Sequence, residues 1–208
     1  MKQMLARGAE SIIFKIEKWG HPYVLKWRQS KPYLLTEIDT QIRRTRINRE
    51  CKMLTISRAL GVPTPAVYSM DLHNHTIMMD YIEGTQFKEI AGKLPKHKLV
   101  SFSRNFGRLI ANLHIGDVVH GDPTTSNVIV DNNYKMWLVD FGLAEMNATI
   151  EMKGVDLHLI QRAFETTHWD LQRIMLKATL EGYSEVYGIQ SEQVISRMKE
   201  IRERGRYH

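Results

Sequence analysis

The chain has 208 residues, 43% of them apolar and 25% charged, with a formal net charge of +6. Those proportions are ordinary for a soluble globular protein and fit one compact domain, or two small lobes around a cleft. A single cysteine, Cys51, excludes an internal disulfide, and no apolar run approaches the ~20 residues of a membrane span.

The opening segment Met1–Glu10 is polar, without the apolar stretch of a signal peptide, so an intracellular, reducing location is expected. That reading makes the glycosylation sequons at Asn74 and Asn147 inert. The first ~30 residues read as strands: "SIIFKIEKW", a turn at "GHP", then "YVLKW". A long helix is predicted from about Leu34 to Leu60, ended by Gly61 and punctuated by Pro63 and Pro65. "AVYSMD" and "TIMMDYIEG" read as two further strands around a turn at Asp71–His75. His73 and His75 in that turn lack a third ligand at metal spacing and read as loop residues.

The second half reads as helical. In Pro95–Ile115, residues Leu99, Phe102, Phe106, Leu109, Ile110 and Leu113 form one apolar stripe. "VIV" and "KMWLV" flank the turn Asp131–Tyr134 and read as a hairpin. Three helices follow, "VDLHLIQRAF", "WDLQRIMLKATLEGY" and "EQVISRMKEIRERG", with Thr167–Asp170 resembling a capping box for the second. The order is a β-rich half joined near Glu83–Gly84 to a helical half.

The hairpin carries the chemistry. Asp122 and Asn127 lie on the loop entering its first strand, and Asp140 lies where the second strand leaves. A hairpin brings these ends together, so three hard-oxygen side chains converge. Mg²⁺ takes one or two such oxygens from protein and the rest from phosphate and water. Phosphoryl transfer needs that arrangement, with a further carboxylate to orient the attacking hydroxyl or water.

His120-Gly-Asp122-x-x-x-x-Asn127 followed by Asp140-Phe-Gly142 resembles the catalytic loop and metal loop of the protein-kinase superfamily. The resemblance implies Asp122 as catalytic base, with Asn127 and Asp140 holding magnesium. It also implies a lysine in the β-rich half. Lys26 stands in the apolar strand "YVLKW". By strand alternation alone it would point to solvent, but a phosphate-loop candidate precedes it. Its carboxylate partner is expected on the long helix. Glu50 shares the stripe of Ile47, Met53 and Leu54, where a lone carboxylate is costly unless paired. It is preferred to Glu37, whose neighbours are more mixed. The phosphate loop would be Gly8, Ala9, Glu10 and Ser11, with one glycine where G-x-G-x-x-G has three. The hinge would lie in Met78–Gly84, with Met79, Asp80, Tyr81 and Ile82 against the nucleotide base.

The departures from an ordinary protein kinase are informative. Gly121 replaces the arginine that grips a phosphorylated activation loop. Thr124 stands where a lysine would follow the base. From Gly142 to Val155 there is too little chain for a usual activation segment, and no Ala-Pro-Glu appears. ATP chemistry is expected, without the ordinary peptide platform.

The stretches "RGAES", "VLKWRQSKPY", "EIDTQIRRTRINRE", "GVPTPAVY", "MDYIEG", "HGDPTTSNVIV", "VDFGLAE", "KGVDLHLIQRAF" and "EIRERGR" follow one another as in the small atypical kinase of the KEOPS (EKC) complex, a family related to the RIO kinases. Trp27 and Arg28 after the lysine, and Tyr207-His208 at the end, depart from it and are read as lying away from the ATP site. The resemblance covers nearly the whole chain. It implies an α+β, minimal two-lobed protein-kinase-like fold with a small β-rich N-lobe, an α-helical C-lobe and a truncated activation segment. Residues 1–208 would form one domain, with an N-lobe of about 1–83, a C-lobe of about 84–196 and a basic tail of 197–208. It further implies an ATP-dependent serine/threonine kinase or ATPase using ATP and Mg²⁺, with Mn²⁺ as a substitute. The partners implied are the threonylcarbamoyl-transferase subunit and other KEOPS subunits. The work implied is threonylcarbamoyladenosine modification of tRNA beside the anticodon, in the cytoplasm and also in the nucleus if the source is eukaryotic.

Two basic stretches bear on tRNA. "QIRRTRINRECK" carries Arg43, Arg44, Arg46, Arg49 and Lys52, and reads equally as a solvated helix face. The tail from Arg197 reads as a fraying basic helix end or as a salt-sensitive phosphate contact. Two other functions fit parts of the sequence. Leu113-His114 through Asp122 also resembles the aminoglycoside and choline phosphotransferases, which usually lack Asp-Phe-Gly and are longer. A non-catalytic scaffold is the third, and would not need the metal ligands.

Overall fold

The computed structural model describes residues 2–204. The N-lobe is a five-stranded antiparallel sheet with one helix against it. Strands β1 (Lys2–Arg7), β2 (Ser11–Lys18) and β3 (His21–Arg28) form a meander. Helix α1 (Thr36–Ala59) follows, then β4 (Val67–Asp71) and β5 (Thr76–Asp80), giving the spatial order β1-β2-β3-β5-β4. In β3, Lys26 and Arg28 are both buried, at 3% and 4% exposure, on the same side of the pleat. A lysine that alternation allowed to face water therefore faces inward, together with a second cation. Such a face is tolerable only with counter-charges, and α1 supplies them. Its buried stripe runs through Asp39, Ile47, Glu50, Met53 and Leu54, while Glu37 is exposed. Gly61, at φ +80°, turns the chain out of α1 as the sequence predicts.

The predicted strand "TIMMDYIEG" is two pieces. β5 ends at Asp80, whose backbone N–H and carboxylate are both held by the segment leading into β4: Asp80 N–H donates to the Ala66 carbonyl, and Ala66 N–H and Tyr68 OH donate to its carboxylate. β6 (Gly84–Gln86) then starts a separate sheet in the C-lobe. Gly84 is needed there, because a Cβ would collide with the backbone of Val130.

The C-lobe continues with α2 (Phe87–Ile90), α3 (Lys96–Ile115), β7 (Val118–Val119), β8 (Val128–Asp131), β9 (Met136–Leu138), β10 (Glu145–Met146), α4 (Ile150–Thr167), α5 (Gln172–Tyr187) and α6 (Ser191–Arg204). β6, β8 and β9 form one small sheet, and β7 pairs with β10. The predicted stripe of α3 is buried throughout. α3 and α5 cross in close contact at two glycines. A Cβ on Gly107 would strike the Thr179 carbonyl, and one on Gly182 would strike that of Arg104.

Two local expectations fail. α4 begins at Ile150, ahead of the predicted Val155, because Thr149 caps it by accepting the Met152 N–H at 3.3 Å. Thr167–Asp170 forms no capping box. Thr167 ends α4, His168 follows it, and α5 starts at Gln172 without a side-chain cap. No helix among the described residues is long and apolar enough to cross a membrane.

Candidate active site

Asp122, Asn127 and Asp140 meet at the mouth of the β8–β9 hairpin, as its geometry requires. Asn127 ends a 3₁₀ turn, and its Nδ2 donates to the backbone carbonyl and the Oδ2 of Asp122, both at 2.9 Å. The amide orientation is the one that satisfies this network, and it leaves Asn127 Oδ1 without a partner among the described residues. Asp140 takes φ +61°, a left-handed conformation that Asp and Asn tolerate better than other residues with a side chain. That turn swings its carboxylate out of the sheet toward the N-lobe.

Lys26 reaches across the cleft to meet it. The Lys26 ammonium lies 2.6 Å from Glu50 Oε1 and 2.7 Å from Asp140 Oδ1. Burial disfavours the charge on Lys26, but Glu50 and then Asp140 outweigh it and hold the pKa above the ordinary value. Burial likewise opposes ionisation of Asp140, and Lys26 reverses the balance, so Asp140 stays below the usual carboxylate range. Glu50 is bound at both oxygens, because its Oε2 accepts from Arg28 Nη2 at 2.6 Å.

Arg28 corrects the sequence reading that placed it away from this site. It lines the same cavity of about 240 Å³ as Gly8, Ala9, Glu10, Ser11, Lys26, Asp122, Asp140, Gly142 and Leu143. The signal was available, since position 28 follows Lys26 by two on one strand. Met79, Asp80, Tyr81 and Ile82 are not among the residues lining this cavity. Met79 is buried against the core, the Asp80 carboxylate is consumed by Ala66 and Tyr68, and Tyr81 and Ile82 run between the lobes. Gly8–Ser11 is the β1–β2 turn, closed by Gly8 N–H donating to the Ser11 carbonyl at 2.9 Å.

The loop that carries Asp122 is held from below by a residue that pattern reading missed. Asp156 of α4, 1% exposed, accepts the backbone N–H of His120 at 2.7 Å and of Gly121 at 2.9 Å. His114 Nε2 lies 3.3 Å from the same carboxylate, and its Nδ1 accepts from Tyr183 OH at 2.9 Å. Burial, outweighing Asp156, keeps His114 below the ordinary histidine pKa. His120 is treated alike by burial. As a neutral ring it donates from Nε2 to the Val139 carbonyl at 3.2 Å and accepts the Asp122 N–H at Nδ1 at 3.3 Å. Gly121, at φ +80°, has no room for a Cβ against Leu143.

The donor set suits magnesium. Asn127 Oδ1 and Asp140 Oδ2 are hard oxygens without partners among the described residues, and two protein ligands leave room for phosphate oxygens. No cluster of three or more His, Cys, Asp or Glu side chains able to hold a metal occurs among the described residues. Four of the five basic residues on this face of α1 have partners within the chain, while Lys52 is exposed with none among the described residues. Arg43 pairs with Asp39 at 2.7 Å, Arg44 reaches the Leu72 carbonyl at 3.4 Å, Arg46 pairs with Glu10, and Arg49 lies 3.3 Å from Glu145. On α6, Arg197 and Arg204 meet Glu151 and Arg202 meets Glu165. The rest of the basic tail, from Gly205, lies outside the described residues.

Residues 25–173 match the family model of the RIO domain. The chain is 39% identical over 212 residues to the KEOPS complex subunit Bud32 of Pyrococcus abyssi, covering 99% of this chain and 96% of that protein. It is 37% identical to the probable bifunctional tRNA threonylcarbamoyladenosine biosynthesis protein of Methanobrevibacter smithii, over 98% of this chain. The namesake in Methanosarcina mazei is 35% identical over 99% of this chain. The chain spans 36% of each of these two longer relatives.

Proposed function

The chain belongs to the RIO-domain family, in the kinase-like branch that includes the KEOPS complex subunit Bud32, and on that premise we propose that it binds magnesium–ATP in the cleft and turns it over in support of threonylcarbamoyladenosine modification of tRNA. The observation that carries this reading is the meeting of Lys26, Glu50 and Asp140 above Asp122 and Asn127. Names of relatives supply the tRNA link, and the cleft supplies the chemistry.

The roles follow from position. Asn127 Oδ1 and Asp140 would hold the metal, which would supply positive charge to offset that of the phosphates. Lys26, steered by Glu50, would hold the phosphates once Asp140 turns to the metal. Asp122, oriented by Asn127 Nδ2, would accept the proton of the attacking hydroxyl or water. The backbone of Gly8–Ser11 would cover the phosphates, and the Met79–Ile82 stretch would face the base. Residues 1–208 act as one kinase-like domain, joined in the cell to a threonylcarbamoyl-transferase and further KEOPS subunits in the cytoplasm. The short residue 143–149 segment offers little platform for a peptide, which favours ATP hydrolysis over routine serine/threonine phosphorylation.

The test follows the γ-phosphate of labelled magnesium–ATP, with the chain alone and with the partner transferase plus tRNA. Release as free phosphate, raised by the partner, is expected. Label on protein would make serine/threonine phosphorylation the activity. Label on a small metabolite would favour the small-molecule phosphotransferases. No turnover in either mixture would leave a scaffold.

A further inference from the structure

Glu10 is out of place for a phosphate loop. It stands in the β1–β2 turn over the cleft, where a carboxylate and a triphosphate would repel. Its side chain is not free, however. Arg46 of α1 pairs with its Oε2, Arg28 Nη1 lies 3.5 Å from the same oxygen, and Lys31 Nζ lies 3.3 Å from Oε1. The Glu10 carbonyl also accepts the Gln29 N–H at 3.3 Å, so backbone and side chain are both tied to the exit of β3. Arg28 continues the connection inward through Glu50 to Lys26.

We propose that Glu10 is a positioning residue: its carboxylate, bridging Arg46 of α1 and Arg28 of β3, fixes the Gly8–Ser11 turn over the cleft and couples it to the Lys26–Glu50 pair. A loop with three glycines can fold down on phosphate because its backbone is free. This turn has one glycine, and an ion-pair cluster does the ordering instead. A partly exposed pair by itself contributes little, but a carboxylate shared by three cations, one of them buried, forms a network. The Glu10 carboxylate thereby leaves the phosphates to the backbone N–H groups of its own turn. The alternating chain Lys26–Glu50–Arg28–Glu10–Arg46 spans the sheet and α1, so a shift of α1 is felt at the turn.

The inference rests on the cleft being a nucleotide site, and its test separates the two. Amide hydrogen exchange at residues 8–11 is measured without nucleotide, and the dissociation constant for magnesium–ATP by calorimetry. Each is done for the wild type, Glu10→Gln, Arg46→Gln and the double variant. Glu10→Gln is expected to speed exchange in the turn and weaken ATP binding roughly tenfold, within the range for contacting charged residues. Arg46→Gln should do much the same, and the double variant should be little worse than either single one. Glu10→Asp should restore part of the binding. Unchanged exchange and binding in Glu10→Gln would overturn the inference, and so would tighter binding, which would mean that the carboxylate merely repels. A wild type that binds no nucleotide would overturn the functional reading, and the exchange data would then decide whether Glu10 orders the turn.

Discussion

Asp156 and Gly121 stand 35 positions apart, and the backbone N–H of Gly121 donates to Asp156 Oδ1 at 2.9 Å. The other oxygen of that carboxylate takes the His120 N–H. One buried side chain on α4 thus sets the height of the loop that carries Asp122.

Asp156→Asn tests this anchor. The amide keeps one acceptor oxygen and turns an NH₂ toward backbone donors. A buried donor without an acceptor costs about 1–3 kcal/mol. Thermal unfolding should show that loss, and ATP turnover of the folded fraction should drop at least roughly tenfold, as expected of displaced catalytic groups. Full turnover in a folded Asp156→Asn protein would remove Asp156 from the mechanism.

Stability should depend on pH through the buried histidines. Burial holds His75, His114, His120 and His168 below their ordinary value of 6.5. The unfolded chain therefore binds protons near that pH which the folded chain refuses. Stability is full above about pH 7 and falls as pH drops through 6.5, by up to about 1.4 kcal/mol per pH unit for each histidine. The lowered carboxylates Asp71, Asp131 and Asp140 act only in more acid solution, around and below the ordinary aspartate value of 3.8. A melting temperature that stays level from pH 7.5 to 5.5 would contradict this account. His114→Gln should flatten the slope.

Asp140 is best tested by two substitutions. Asp140→Asn tolerates the left-handed backbone but loses the charge, so turnover should fall by about 10²–10³-fold with the fold retained. Asp140→Ala should lower turnover at least as far and also lose about 1–2 kcal/mol of stability, because alanine resists φ +61°. Turnover that survives both would overturn the metal assignment.

Lys26 and Glu50 should separate activity from stability. Glu50 keeps Arg28 when Lys26 is removed, so Lys26→Met should lose turnover while melting near the wild-type temperature. Removing Glu50 takes the one buried counter-charge from two buried cations, leaving Lys26 the half-exposed Asp140 and Arg28 only Glu10 at 3.5 Å. Glu50→Ala should cost about 3–5 kcal/mol, within reach of global unfolding. Equal melting temperatures for the two variants would argue against a shared carboxylate.

Much of this arrangement was legible in the residues. The Asp122–Asn127 spacing, the hairpin and Asp140-Phe-Gly142 fixed the lower half of the cleft, because a hairpin must bring its ends together. Glu50 could be picked over Glu37 because a helix repeats its face every three to four residues. What was missed depended on long-range pairing. Asp156 carries no motif, and only the folded chain shows it beneath residues 120–121. Arg28 looks like a mere departure when it is compared along the chain, and its role shows only when it is placed by strand face beside Lys26. In sequence, the basic face of α1 reads equally as a solvated helix face or as a nucleic-acid contact. Its partners, Glu10, Leu72 and Glu145, come from three other parts of the chain. The capping box at Thr167 failed because α4 already used that residue.

The glycine contacts described for the fold leave the C-lobe no slack at three points. Gly84 locks β6 against Val130, and Gly107 and Gly182 press α3 and α5 together backbone to backbone. Asp80 is tied just as firmly to the β4 approach. The strap Tyr81–Glu83 connects these two clamps. A second tie, Leu138 N–H donating to the Pro63 carbonyl at 2.9 Å, holds the approach to β4 against the hairpin, so any opening of the cleft has to strain both connections. A binding partner that grips both lobes would work as a brake on turnover without touching a single catalytic side chain.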